Sequence, residues 1–132
     1  VLGARSGALA TGMSPPARIL QHRALASKVM IAGDEDAFAA AKKSETGSVV
    51  YFTASWCGPC RMISPVFEAL ADANEKGATF LKVDVDDLPD VALDAQVSAM
   101  PTFKFFKAGQ ELETFVGADV EKLKAATDKH LS

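Results

Sequence analysis

The sequence predicts an α/β protein whose strands and helices follow the order βαβαβ, a short helix, and then ββα. Strand-like and helix-like hydrophobic patterns alternate along the first part of the domain, which is typical of parallel strands joined by helices. The segment 48–54 is uncharged and rich in β-branched and aromatic residues, as in a strand buried on both faces. Two further strand patterns, 102–109 and 111–117, meet at a tight turn around Gly109, which favours an antiparallel pair.

The elements of the first half have clear boundaries. A short apolar strand at 28–32 ends at Gly33, and Asp34 is a good N-cap for a helix with acidic residues in its first turn. After the strand 48–54, a helix is predicted over 59–74. It places an apolar stripe on one face, formed by Ile63, Val66, Phe67 and Leu70.

The second half continues with a strand at 78–85 and a short helix at 89–95. In the strand pair that follows, we interpret Lys104 and Lys107 as residues on a solvent-facing edge. Asp119 is the predicted N-cap of a last amphipathic helix, which contains Val120, Leu123, Ala126 and Leu131.

Composition limits the classes of protein that fit. A chain of 132 residues with 48% hydrophobic content predicts one domain with a real core, and no apolar run is long enough to span a membrane. Residues 1–33 carry a charge of +4, and the total of −3 leaves −7 for the remainder. An acidic body gives no reason to expect nucleic acid as a partner.

The N-terminal segment 1–27 has a composition of its own. It is rich in Ala, Ser and Gly, contains Arg and lacks acidic residues, as organellar transit peptides do. We therefore expect a mitochondrial protein, with the chloroplast as the alternative, whose folded domain is 28–132. The simpler alternative is a disordered extension with no targeting role.

Cys57 and Cys60 are the only two cysteines, separated by Gly58 and Pro59. A closed zinc site needs four ligands, and this chain has two thiols and two histidines far from them in sequence. A structural disulfide gains little from closing so small a loop. Residues three apart at a helix start face the same way, which favours a bond that forms and breaks with little backbone motion. A reactive dithiol is the preferred interpretation, and two inert thiols are the alternative.

The position of the pair tunes its chemistry. Pro59 fits the first turn of a helix, because its missing N–H costs nothing there. Cys57 is then at the helix N-terminus, where free N–H groups favour a thiolate, and its pKa should fall below the ~8.5 of a free cysteine. Cys60, one turn inside, should be more buried and less acidic. This asymmetry predicts one attacking and one resolving thiol.

Three motifs in the right order resemble those of thioredoxins. They are Trp-Cys-Gly-Pro-Cys at 56–60, Met-Pro-Thr-Phe at 100–103 and Phe-Val-Gly-Ala at 115–118, and the resemblance covers about 28–132. It implies the thioredoxin fold, a central mixed sheet with helices on both faces. It also implies that Cys57 is the nucleophile, that Cys60 is the resolving thiol and that Pro101 is preceded by a cis peptide bond.

The resemblance further implies a target-docking surface and a set of partners. The apolar surface around the cysteines would consist of Trp56, Gly58, Pro59, Met100, Pro101, Val116, Gly117 and Ala118. The chain shows no glycine-rich nucleotide-binding turn, so no bound cofactor is expected. NADPH and FAD would act only through a partner thioredoxin reductase, and the other partners would be disulfide-containing target proteins. We expect a monomer.

Tyr51 is where the chain departs from the common family pattern. Most thioredoxins have a buried aspartate at the position six residues before the first cysteine, with a lysine nearby that Lys82 matches. The spelling Tyr-Phe-Thr-Ala at 51–54 instead resembles the o-type thioredoxins of plants and algae, which are associated with mitochondria. Loss of the carboxylate should make both thiols easier to ionise. Alternatively, the tyrosine fills volume and forms hydrogen bonds through its hydroxyl.

Other functions remain as alternatives. A glutaredoxin-like reductase would use related chemistry, although the Trp-Cys-Gly-Pro-Cys spelling argues against it. A redox-independent binding or chaperone module could use the same apolar surface. Two Cys-Gly-Pro-Cys motifs could also share an iron–sulfur cluster or a zinc ion across a dimer.

Overall fold

A computed structural model of the chain describes residues 27–132. Its five strands form one mixed sheet in the order β1-β3-β2-β4-β5. The strands are β1 Met30–Ile31, β2 Ser48–Thr53, β3 Thr79–Asp84, β4 Thr102–Lys107 and β5 Gln110–Val116. β3 is parallel to β1 and β2, whereas β4 is antiparallel to β2 and β5. The predicted mixed sheet is confirmed. Predictions about 1–27 lie outside the described residues, except for Ser27.

Four helices of the segment 27–132 cover the sheet. They are α1 Glu35–Lys43, α2 Gly58–Ala73, α3 Pro89–Asp94 and α4 Val120–Leu131. Side chains of α2 and α4 share one buried cluster with the sheet, and those of α1 and α3 share a second. The helices therefore lie on both faces, as predicted. Within the described residues, no helix is both long enough and apolar enough to cross a membrane.

The central strand β2 is buried along its whole length. Val49 and Tyr51 belong to the cluster under α2 and α4, and Val50 and Phe52 to the cluster under α1 and α3. Both sheet faces are covered here, which explains why the strand has no charged residue and no alternation of polar side chains. The chain leaves this strand in the middle of the sheet and enters the loop that carries the cysteines.

Local signals for the helix starts are confirmed. Asp34 accepts a hydrogen bond from the backbone N–H of Ala37, and Asp119 accepts one from that of Lys122. These are the N-cap bonds that satisfy free donors in a first helical turn. The start of β1 is later than predicted, because Lys28 binds the end of α2 instead of a strand. Its N–H donates to Asp72 (2.8 Å) and its ammonium to the carbonyl of Asn74 (3.0 Å).

The prediction for Lys104 was wrong. β4 lies inside the sheet, between β2 and β5, and Lys104 is only 8% exposed. Its ammonium donates to the hydroxyl of Thr114 (3.3 Å) and lies 3.6 Å from the carboxylate of Glu111. A long side chain can bury its stem and still reach polar partners at the sheet margin. Lys107, at the end of the strand, is exposed as predicted.

Candidate active site

The two cysteines lie where the loop after β2 enters α2. Cys57 is the N-cap residue of this helix, and its sulfur accepts a hydrogen bond from the backbone N–H of Cys60 at 3.2 Å. Pro59 is in the first turn. Cys57 and Cys60 form a disulfide with their Cα atoms 5.3 Å apart. Both are buried, 4% and 2% exposed, so the predicted difference in burial is small.

This geometry favours a thiolate on Cys57 once the disulfide is reduced. The sulfur is at the positive end of a sixteen-residue helix, and an N–H group already points at it. Helix N-termini stabilise negative charge through both their dipole and their free N–H groups. The local arrangement is therefore that of a reactive dithiol.

Tyr51 lies beneath the start of α2 and is fully buried. Its hydroxyl donates to the backbone carbonyl of Cys60 at 2.9 Å and lies 2.7 Å from the hydroxyl of Ser64. Ser64 also donates to the same carbonyl, at 2.8 Å. The ring stacks on Phe103 with centroids 5.0 Å apart. The phenol therefore binds the backbone of Cys60.

Lys82 and Asp84 lie on β3, next to β2. In the parallel register Tyr51 is paired with Lys82 and Thr53 with Asp84. A cavity of about 260 Å³ opens between this part of the sheet and α2. Most of its lining residues are polar or charged, and the lining comprises Thr53, Ala54, Ser55, Cys60, Arg61, Ser64, Lys82 and Asp84.

The predicted docking surface is built from three segments of the chain. Trp56 (63%) and Val116 (59%) are its most exposed large side chains, Gly58 and Pro59 are also exposed, and Met100, Gly117 and Ala118 are half-buried. Pro101 is buried, and its peptide bond with Met100 is cis. The N–H of Gly117 donates to the carbonyl of Pro101 at 2.9 Å, which joins two of the three segments.

Comparison with known proteins decides the family. The family model described as Thioredoxin matches residues 29–129. The chain belongs to the thioredoxin family. The mixed sheet with helices on both faces is the thioredoxin fold, and the cysteine pair is that of a thiol–disulfide oxidoreductase that reduces protein disulfides.

Individual thioredoxins agree with this assignment. Thioredoxin H4 of Arabidopsis thaliana is 52% identical over 90 residues, which cover 68% of this chain and 76% of the relative. The crystal structure of Malassezia sympodialis thioredoxin (Mala s 13) matches with a TM-score of 0.75 and 42% identity, covering 80% of this chain and 93% of that one. Oxidized thioredoxin O2 of Arabidopsis thaliana matches with a TM-score of 0.71 and 38% identity, covering 80% and 96%.

Thioredoxins hold no cofactor of their own and work with reductases and disulfide-containing targets. In this thioredoxin, no group of three or more His, Cys, Asp or Glu side chains among residues 27–132 is placed to hold a metal ion.

Sequence reasoning missed four residues of this thioredoxin's site. Ser64 shares the carbonyl of Cys60 with Tyr51, and Asp86 accepts a hydrogen bond from the indole of Trp56 at 2.9 Å. Met62, 68% exposed, follows Pro59 by three residues and so lies next to it on α2. Asp84 follows Lys82 by two and so shares its face of β3, a signal that was available in the sequence.

Proposed function

We propose that Cys57 is the attacking thiol and Cys60 the resolving thiol of this disulfide reductase. One observation carries the assignment of roles: Cys57 is the N-cap of α2 and receives the N–H of Cys60 at its sulfur. Negative charge on Cys57 is therefore stabilised before this thiol attacks a target disulfide. Cys60 is one turn further inside the helix, where the stabilisation by the terminus is weaker.

The reaction runs in two exchanges. The Cys57 thiolate attacks one sulfur of a target disulfide, and the other target sulfur leaves with the electron pair and takes up a proton. Cys60 then loses its proton and attacks the sulfur of Cys57, which breaks the mixed disulfide. The target is released as a dithiol, and Cys57 and Cys60 are left as the disulfide. The 5.3 Å spacing of their Cα atoms matches that product.

The surrounding apolar surface is the proposed docking site for target proteins. It consists of the residues already described: Trp56, Gly58, Pro59, Met100, Pro101, Val116, Gly117 and Ala118. Exposed aromatic and aliphatic side chains beside a reactive sulfur can contact targets of many different sequences. Lys82 and Tyr51 are proposed to tune the site from below, Tyr51 by fixing the backbone of Cys60.

We also propose the cellular context. Electrons come from a thioredoxin reductase that carries the FAD and uses NADPH, and the chain acts as a monomer. The spelling Tyr-Phe-Thr-Ala at 51–54, together with the likeness to thioredoxin O2, supports an o-type thioredoxin. The composition of 1–27 supports a transit peptide for the mitochondrion, with the chloroplast as the alternative.

Insulin reduction tests the assigned roles. Wild type, Cys57→Ser and Cys60→Ser are compared with insulin, NADPH and a thioredoxin reductase, followed by NADPH consumption. We expect turnover in the wild type only, and a mixed disulfide with insulin that accumulates in Cys60→Ser. Mass spectrometry should place that bond at Cys57. Turnover by Cys60→Ser at the wild-type rate, or trapping through Cys60 in the Cys57→Ser variant, would contradict the roles.

A further inference from the structure

The resolving cysteine needs a proton acceptor, and the structure limits the candidates. The cavity of about 260 Å³ beside α2 is the space that Cys60 lines together with polar side chains. Ser55 and Arg61, two of its lining residues, are exposed, so the cavity is open to solvent. A water molecule takes up roughly 30 Å³ of liquid volume, which leaves room for several.

Tyr51 does not fit the role of acceptor. Its hydroxyl donates to the carbonyl of Cys60 and contacts Ser64, so it is engaged with the backbone. Lys82 and Arg61 are charged groups that face the cavity from β3 and α2. In their charged forms, both have donors and no acceptor. The hydroxyl groups in the lining are weak bases.

Among residues 27–132, Asp84 is the one carboxylate in the lining of this cavity. Its Oδ1 accepts the backbone N–H groups of Asp86 (2.8 Å) and Asp87 (3.3 Å), which fixes the side chain in the turn after β3. Both bonds go to the same oxygen, so neither of them occupies Oδ2. Asp84 is two residues beyond Lys82 and therefore on the same face of β3, towards α2.

We propose that Asp84 accepts the proton of Cys60, through water in this cavity, when Cys60 resolves the mixed disulfide. The inference rests on the roles proposed above for the two cysteines. The Cys60 S–H proton passes to a water molecule, which gives a proton to the Asp84 carboxylate. The thiolate then attacks Cys57, the Cys57–target bond breaks, and the target sulfur leaves with the electron pair. The carboxylate returns its proton to solvent afterwards.

In this arrangement the proton acceptor is on β3, whereas the aspartate of most thioredoxins would be at position 51 on β2. The charged groups around Asp84 are Lys82 on its own strand, Arg61 on α2, and Asp86 and Asp87 in the turn that follows. Lys82 and Arg61 are positive charges in the lining of the same cavity. Asp86 and Asp87 are exposed, so solvent screens their charges.

The experiment separates attack from resolution in single turnovers. The full chain, reduced, is mixed in a stopped-flow instrument with 2,2′-dithiodipyridine, an uncharged disulfide that releases one thiopyridone at each step. The first release depends on disulfide concentration and reports attack by Cys57. The second is first-order and reports resolution by Cys60. The variants are Asp84→Asn, whose side-chain oxygen can still accept the two N–H groups, and Asp87→Asn as the matched control.

We expect Asp84→Asn to slow the second release by about tenfold and to leave the first within about twofold. This is less than the ~10²-fold or more that general bases commonly contribute, because solvent in an open cavity can take the proton less efficiently. Added formate should restore the second release in Asp84→Asn, since a small carboxylate can enter the cavity. Asp87→Asn makes the same charge change outside the cavity and should match the wild type.

The outcomes distinguish a failure of the role of Asp84 from a failure of the roles of Cys57 and Cys60. Three results would overturn the role of Asp84 and leave the cysteine roles intact. The second release could be unchanged in Asp84→Asn, it could be slowed equally in Asp87→Asn, or it could be slowed in Asp84→Asn without being restored by formate. Asp84→Ser, which can also accept the N–H groups, replaces Asp84→Asn if that variant fails to fold. Two releases from a Cys60→Ser variant would instead overturn the proposed roles themselves.

Discussion

Tyr51 combines two tasks at one buried position. Its ring fills the space between Phe67 and Phe103, with centroids 5.0 Å from each. Its hydroxyl reaches the carbonyl of Cys60, where Ser64 donates as well. A buried phenol needs a partner for its O–H, and here the partner is the backbone of the proposed resolving cysteine. The residue is thus both a core aromatic and a support for the first turns of α2.

Tyr51→Phe tests this arrangement. The ring stays, and Ser64 still donates to the carbonyl of Cys60, so no buried acceptor loses its last partner. We expect the free energy of unfolding to fall by about 1 kcal/mol, the net contribution of one hydrogen bond, as measured by urea denaturation of the oxidised protein. Ser64→Ala leaves Tyr51 as a donor to the same carbonyl and should lower the free energy of unfolding by about the same amount.

The double variant provides the decisive comparison. Without both hydroxyls the Cys60 carbonyl loses both side-chain donors, so the combined cost should exceed the sum of the single costs. A loss in Tyr51→Phe of about 3 kcal/mol or more would show instead that the ring has moved, as in core truncations, and that the hydroxyl network does not define its position.

Residue-level prediction succeeded where chemistry is local and failed where partners are distant in sequence. Position 51 stood out because a tyrosine replaces an expected carboxylate, and Cys57 stood out because Pro59 marks a helix start. Ser64 carried no such signal, since its importance depends on a strand thirteen residues earlier lying beneath it. Lys104 was misread because its strand lies inside the sheet, which its own sequence does not reveal.

Between elements, the turn from α1 to β2 is closely packed at Gly47. Gly47 has φ +92°, and a Cβ placed there would lie 2.8 Å from the side chain of Leu131 and 3.6 Å from the carbonyl of Phe106. Leu131 ends α4 and is buried. The glycine therefore lets this turn approach the end of a helix that is far away in sequence.

Gly47→Ala is expected to destabilise the fold by more than the amount that backbone strain alone would cause. Gly109→Ala is the matched control, because Gly109 has a similar φ of +87° and no atom of the described residues lies within 4 Å of the added Cβ. We expect the free energy of unfolding to fall by about 1 kcal/mol in Gly109→Ala, because alanine is strained in the left-handed conformation. In Gly47→Ala it should fall by about 1–3 kcal/mol more, because the added Cβ overpacks the site. The measurement is again urea denaturation. Equal losses in the two variants would mean that Leu131 moves aside at no cost.

The order of elements was predictable, and their exact extent and contacts were less so. Hydrophobic periods of two and 3.6 residues identify strands and helices from the sequence alone, and caps such as Asp34 and Asp119 mark helix starts. β1 is shorter than its apolar run suggests, because Lys28 is drawn to Asp72 and Asn74 at the end of α2. Such a bond between segments more than forty residues apart leaves no periodic signal.

At the scale of the whole molecule, the active site is an assembly of chain segments that the fold brings together. The sheet places the loop after β2, the turn before β4 and the turn after β5 side by side. Thr102 is paired with both Phe52 and Val116 across neighbouring strands, which sets the distance between these segments. From the sequence, only the resemblance to thioredoxins indicated that they meet, because pairing between distant strands is not encoded in any local pattern.

The proposed docking surface predicts that protein targets and small disulfides respond differently to a change of one of its residues. Val116 is 59% exposed at the end of β5, so Val116→Gln should leave the fold intact while removing an apolar contact with a bound protein. Leu93→Gln on α3 is the matched control, because Leu93 is 77% exposed and is not among the residues of the docking surface.

We expect Val116→Gln to lower kcat/KM for insulin by about five- to tenfold, since partial burial of a valine is worth about 1–1.5 kcal/mol and 1.4 kcal/mol corresponds to a factor of ten. Attack on uncharged 2,2′-dithiodipyridine should stay within about twofold, because so small a disulfide has little surface with which to contact position 116. Leu93→Gln should match the wild type with both substrates. If Val116→Gln reduced both rates equally, position 116 would act on the reactivity of Cys57; if it reduced neither, protein targets would dock without this part of the surface.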